Sequence, residues 1–205
     1  MKWKDKLNEM QLDVLKEIGN IGAGNAATSL SNMIGKNVNI EVPHVKVVDL
    51  SQLYTVLEKP EEITAATVVG VKGEAPGKML MLFSSESAKK LISLLIGNEP
   101  EDLTNLDDMG QSVLKEIGNI MCSSYIIALS NFTSLFLESD VPILVVDMIG
   151  AIVAETSIQS AEEYDDVIMI ENLLSIPEEG NIKGFMTMFP ETDSLNKIFS
   201  KLGIQ

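Results

Sequence analysis

One cysteine, Cys122, and one histidine, His44, are all that the 205 residues hold of either type. A lone thiol closes no internal disulfide, and a chain without a Cys/His cluster builds no structural zinc site. Positive charge is also scarce, with 15 basic residues against 30 acidic ones and a formal net charge of −15. Affinity for a phosphate backbone comes from cations displacing counterions, so this balance argues against nucleic acid and anionic membrane as ligands. Long apolar runs are missing too. The longest, Val141 to Ala154, is broken by Pro142 and Asp147 and falls short of the roughly 20 residues a bilayer demands. The amino terminus, MKWKDKLNEMQLDVLKEIG, alternates charged and apolar residues and carries neither the apolar core nor the cleavage site of a signal peptide. A cytoplasmic protein with no membrane anchor is expected.

What is there is a repeat. Val14 to Ile21 read VLKEIGNI, and Val113 to Ile120 read VLKEIGNI again, 99 residues later. With each residue type near 7%, eight consecutive matches arise by chance about once in a billion alignments. The same offset pairs Leu30, Ser31 and Asn32 with Leu129, Ser130 and Asn131, and Val42 and Pro43 with Val141 and Pro142. Later the offset is 106, Lys78 to Gly97 corresponding to Gly184 to Gly203, so the second copy holds about seven extra residues between Pro142 and Gly184.

Each copy has one order of elements. A long helix, about 6–34 and 105–133, carries Leu7, Met10, Val14, Ile18 and Ile21 at spacings of three and four. Strands follow at Val45 to Leu50 and Ile143 to Val146, then a hairpin turning at Glu74 to Gly77 and at Pro177 to Gly180. A short helix ends at Gly97 or Gly203. The expected fold is α+β, a single domain over 1–205 made of two repeats, about 6–97 and 105–203, joined by a linker at 98–104. A continuous sheet and two long helices related by pseudo-twofold symmetry let the duplicated halves bury their like faces. One chain then supplies what a symmetric dimer would, and a monomer is expected.

On the first long helix Asp13, Glu17 and Asn20 share one stripe, and Ser112, Glu116 and Asn119 repeat it on the second. Val14, Ile18 and Ile21 form the neighbouring stripe, expected to point into the core and leave the polar one at the rim. A merely solvated face needs no fixed Glu and Asn, yet both are kept while Gly22, Ala23, Gly24 and Asn25 have become Met121, Cys122, Ser123 and Ser124. Gly19 and Gly118 recur although Gly costs about 1 kcal/mol in a helix interior, which suggests a surface made for close approach. A carboxylate and a carboxamide contain no strong nucleophile. Glu can pair with a cation, and Asn, donor and acceptor at once, can orient an attacking water. Such a pair suits catalysis completed in trans, with metal and electrophile on a partner.

The pattern Asp/Ser, three residues, Glu, two residues, Asn, twenty-two residues and Pro is met by Asp13, Glu17, Asn20 and Pro43, and again by Ser112, Glu116, Asn119 and Pro142. The chain thereby resembles the CheC/CheX/FliY family of chemotaxis phosphatases, most nearly its two-motif, CheC-like members without a flagellar switch extension. The resemblance implies hydrolysis of the aspartyl phosphate of the response regulator CheY. Glu17 and Glu116 would each pair with the regulator's active-site lysine, and Asn20 and Asn119 would orient the water. It implies no cofactor of the chain's own, Mg2+ on CheY, and a second, stimulating partner, the deamidase CheD. The alternative is a non-catalytic adaptor that uses the same stripe to bind CheD or CheY-phosphate. Asp13, where the second copy has Ser112, sets another negative charge one turn from Glu17, so the two sites differ.

Other signals are set aside. GAGNAA, Gly22 to Ala27, fits a dinucleotide pattern but follows helical periodicity instead of a strand. His44 is matched by Ile143, and Cys122 reads as a small hydrophobe with no basic neighbour. The methionines of MLMLF and FMTMF read as strand core. Asp147 reads as a strand-end charge or a partner contact, and Glu162, Glu163, Asp165 and Asp166 as a solvated loop.

Overall fold

The computed structural model describes residues 7–50, 53, 61–158, 166–191 and 193–204. In chain order its elements are α1 (Glu9–Ile34), β1 (Asn39–Glu41), β2 (Val45–Asp49), β3 (Ile63–Gly73), β4 (Gly77–Ser84), α2 (Ser85–Ile96), α3 (Asp108–Thr133), β5 (Leu137–Ser139), β6 (Ile143–Met148), α4 (Ile149–Ile158), β7 (Asp166–Ile176), β8 (Gly180–Pro190) and α5 (Ser194–Lys201). Asn8 and Gln11 exchange side-chain to backbone hydrogen bonds of 2.9 Å each, a reciprocal cap on the first turn of α1. Asp107 accepts from the Gly110 amide at 2.8 Å and starts α3. Gly35 and Gly97, at φ 72° and 73°, close α1 and α2 in the left-handed conformation that glycine adopts without steric cost.

Among the described residues eight strands join one antiparallel sheet, in the order β1, β7, β8, β4, β3, β5, with β2 also on β7 and β6 also on β3. The halves interleave: β1 and β2 of the first copy pair with β7 of the second, and β5 and β6 of the second pair with β3 of the first. Registers obey the twofold, since Ile63 opposite Met148 is echoed by Asp49 opposite Asp166, and Val71 opposite Ser139 by Ile40 opposite Leu174. The pseudo-axis crosses the central β4–β8 ladder, where Leu80 faces Thr187 and Met81 faces Met186. The expected continuous, pseudo-symmetric α+β fold is what forms.

Alternation along the central strands divides the core into two layers. Met79, Met81 and Phe83 of β4 and Met186 and Met188 of β8 join the cluster under α1, α2, α3 and α5. Leu80, Leu82, Phe185 and Phe189 point the other way, onto Leu53 and onto Ile149, Ile152 and Val153 of α4. These methionines are strand core, as their alternation implied.

Four local readings change. Helix α4 occupies the end of the apolar run whose start reads as a strand, because Ile and Val recur on both sides of Asp147 and do not mark where a strand stops and a buried helix begins. The 98–104 segment is not a bare connector: it leads into a 3-10 turn at Leu103–Asn105, and Leu103 is buried. Asp166 is buried in β7 opposite Asp49 instead of lying in an acidic loop; Glu162, Glu163 and Asp165 lie outside the described residues. On α1 the inward face is Leu15, Ile18, Gly22, Ala26 and Leu30, while Ile21 and Met10 are exposed. Glycines and alanines share this face with Leu15, Ile18 and Leu30, and such small residues are invisible to a search for large apolar ones.

Candidate functional site

Asp13, Glu17 and Asn20 are all exposed along α1, and Ser112 and Glu116 along α3, with Asn119 half-buried. The rim position expected for the polar stripes is therefore what the structure places there. The stripes run over helix faces, and a cleft of about 460 Å³ between Lys36, Lys90 and Glu179 contains none of their residues. Open faces of this kind meet macromolecules better than small molecules, which bind in concavities.

Beneath the two asparagines the halves diverge. Gly19 and Gly118 are buried and face the protein's own interior, which corrects the reading that they clear space for a partner. At Gly118 an added Cβ would lie 2.1 Å from Thr67 Oγ1 and 2.3 Å from Thr67 Cβ, so α3 rests directly on β3. The Thr67 hydroxyl donates to the Leu114 carbonyl at 3.2 Å, pinning strand and helix together. At Gly19 the nearest atoms to a Cβ are Tyr125 Cε1 at 3.5 Å and Val42 Cγ1 and Cγ2 at 3.6 and 3.8 Å, ordinary contacts. Tyr125 occupies the extra space: its hydroxyl donates to Asn172 Oδ1 on β7 at 2.6 Å, and its ring and Cα sit 3.0 Å from a Cβ at Gly22. The GAGNAA segment is thus the face of a continuous helix that admits Tyr125 of α3, with no strand before it.

Val42 links the first-half proline to the site, since it packs on Gly19 while Pro43 follows it in the bend between β1 and β2. In the second half Val141 is 72% exposed and the three atoms nearest to Gly118 all belong to Thr67. Pro142 is half-buried between β5 and β6. Ser112 Oγ donates to the Asp108 carbonyl at 2.7 Å, turned back onto its own helix. The structure also adds residues to the stripes. Met10 and Met109, one turn before Asp13 and Ser112, are 63% and 60% exposed. The repeat offset of 99 relates them, a signal legible in the sequence, where Met10 counts with the apolar periodicity of the helix.

Among the described residues no three His, Cys, Asp or Glu side chains gather as metal ligands, and no helix is long and apolar enough to cross a membrane. His44 is exposed, and its carbonyl accepts from the Glu171 amide at 2.9 Å. Asp147 is exposed near the end of β6, where its carboxylate accepts from the Met148 amide at 2.7 Å. Cys122 is fully buried, and burial pushes its thiol up to about 12. Only the thiolate is nucleophilic, so Cys122 should resist a thiol reagent at pH 8 in the folded protein and react once urea unfolds it. Rapid labelling of the native chain would refute the assignment. Folded-state protonation also means that stability falls as pH rises above the thiol's ordinary value of 9.0 toward 12.

The profile of the CheC-like family matches residues 10–47 and 109–145, the two segments that hold the stripes and their prolines. The CheY-P phosphatase CheC of Bacillus subtilis is 31% identical over 200 residues, 96% of each chain. Among solved structures, Thermotoga maritima FliY superposes with a TM-score of 0.79 at 21% identity, covering 97% of this chain and 98% of that one. The FliM middle domain of H. pylori does so at 0.69 and 17%, covering 95% and 99%. The structural likenesses carry the interleaved fold, while the sequence match runs through both polar stripes nearly end to end, and on that ground the chain belongs to the CheC-like family.

Proposed function

We propose that the protein is a chemotaxis phosphatase that hydrolyses the aspartyl phosphate of CheY. The observation that carries this reading is the Glu/Asn stripe at the rim of each of two long helices, at the same repeat positions, in a chain 31% identical to a CheY-P phosphatase. In this reading Glu17 and Glu116 each dock on a cation of the receiver domain, its active-site lysine. Asn20 and Asn119 enter beside the phosphoryl group, where one amide holds the attacking water by both its donor and its acceptor. Glu and Asn side chains carry no strong nucleophile, and positioning of water is the chemistry left to them. Its 15 basic residues are all lysines, so no arginine is on hand to neutralise phosphoryl charge; Mg2+ held by CheY takes that part.

The working unit in this proposal is one chain, since both stripes come from a single sheet and helix pair. CheD enters as a stimulating partner on the strength of the family resemblance. The test is the decay of phosphorylated CheY with substoichiometric protein, with and without CheD. Turnover of many equivalents per chain is expected, faster with CheD. A decay rate that does not respond to the protein would overturn the enzyme reading and leave a docking module.

A further inference from the structure

Most hydroxyls along the long helices follow one rule, from which Ser123 and Ser130, the latter donating to the Leu135 carbonyl at 2.6 Å, depart. Thr28, Ser29, Ser31, Ser112 and Thr133 each donate to the backbone carbonyl four residues back, at 2.7 to 3.3 Å. This is the usual outlet for a helical Ser or Thr. Ser123 instead reaches the side chain four residues back: its Oγ lies 3.2 Å from Asn119 Oδ1 and 3.4 Å from Ser139 Oγ on β5. A serine hydroxyl has one proton, and of its two neighbours only the amide oxygen lacks one of its own. The proton therefore goes to Asn119, and the Ser139 hydroxyl can supply the other bond. Asn119 is half-buried beside this pair, whereas Asn20 is exposed. In the first copy the position of Ser123 is Gly24, with nothing within 4 Å of a Cβ, and that of Ser139 is Ile40.

We propose that Ser123, backed by Ser139, is a positioning residue that holds the Asn119 carboxamide in the orientation used for catalysis, a device the first site lacks. The inference rests on the phosphatase reading of the stripes. With Oδ1 tied by one of its two lone pairs, the amide plane is set, the NH2 group faces outward, and the second lone pair stays available to a water. An amide ordered before docking loses less freedom when the partner arrives, and a side chain turned away from the water contributes nothing to positioning it.

The test uses the full chain and phosphorylated CheY, in two backgrounds. With Asn20→Ala, which leaves only the second site, Ser123→Ala is expected to lower kcat about fivefold, the size of one net hydrogen bond, at unchanged KM, and Ser123→Thr to keep most of the rate. With Asn119→Ala, where the second site is already silent, Ser123→Ala adds no further loss. Equal losses in both backgrounds, a change in KM alone, or an unaltered kcat each overturn the proposal. Should Asn20→Ala with Asn119→Ala accelerate decay as fast as the unaltered chain, the assignment of the stripes falls and takes this proposal with it; normal dependence on the asparagines with Ser123→Ala at full kcat removes this proposal alone.

Discussion

Replacing Asn20 and Asn119 together by alanine is expected to reduce stimulated release of phosphate from CheY by about 100-fold or more, the scale seen when one preorganised catalytic amide is removed. Each asparagine lies at the solvent edge of its helix, and alanine is a better helix residue than asparagine, so the fold should survive. Retention of the circular dichroism spectrum and melting temperature alongside the lost rate separates a chemical defect from an unfolded chain. Either single replacement should keep part of the activity. The retained parts should be unequal, because Asp13 stands one turn from Glu17 whereas Ser112 is folded back on the Asp108 carbonyl, and because only Asn119 is held by a serine. Undiminished release from the double variant would refute the assignment of both stripes.

The second large effect concerns stability and has opposite signs in the two copies. Gly118→Ala is expected to destabilise the protein by about 3 kcal/mol, at the upper end of ordinary overpacking. The new methyl would fall 2.1 to 2.8 Å from three atoms of Thr67, a stiff β-branched side chain on a strand paired on both sides, with β4 and with β6. Shortening Thr67 to alanine would not make room, since its Cβ is itself 2.3 Å away. Gly19→Ala meets only contacts of 3.5 Å and beyond, and should be neutral or stabilise by up to about 1 kcal/mol through helix propensity. Urea midpoints of the two variants provide the comparison. Equal shifts would mean that α1 and α3 rest on the sheet in the same way.

These glycines also mark the limit of what one sequence discloses. Their recurrence in VLKEIGNI was legible and so was the inference that a side chain is unwanted, but the direction of the close approach was not. Both point inward, and the surface that Gly118 meets belongs to β3 of the other repeat. The rim positions of Asp13, Glu17, Asn20 and their counterparts are legible in a seven-residue spacing, because helix periodicity is a local property. Ile21 was misplaced inward for a related reason: the buried face of α1 is built of Gly22, Ala23, Ala26 and Ala27, whose burial is decided by the neighbouring helix and not by their own hydrophobicity. Helix α4 is not legible because Ile and Val recur on both sides of Asp147, in strand and helix alike.

The sequence by itself determined the duplication, the two long helices, the hairpins, and the rim position of the polar residues, since each depends on spacing within a few turns of chain. Only the tertiary structure decided that the strands interleave, with each repeat completing the other's half of the sheet, and that the symmetry stops below the helices. Tyr125 intervenes between α1 and β7, and Thr67 touches α3 directly. Contacts between residues about fifty positions apart or more carry no periodicity, and packing alone settles which side chain fills a given gap.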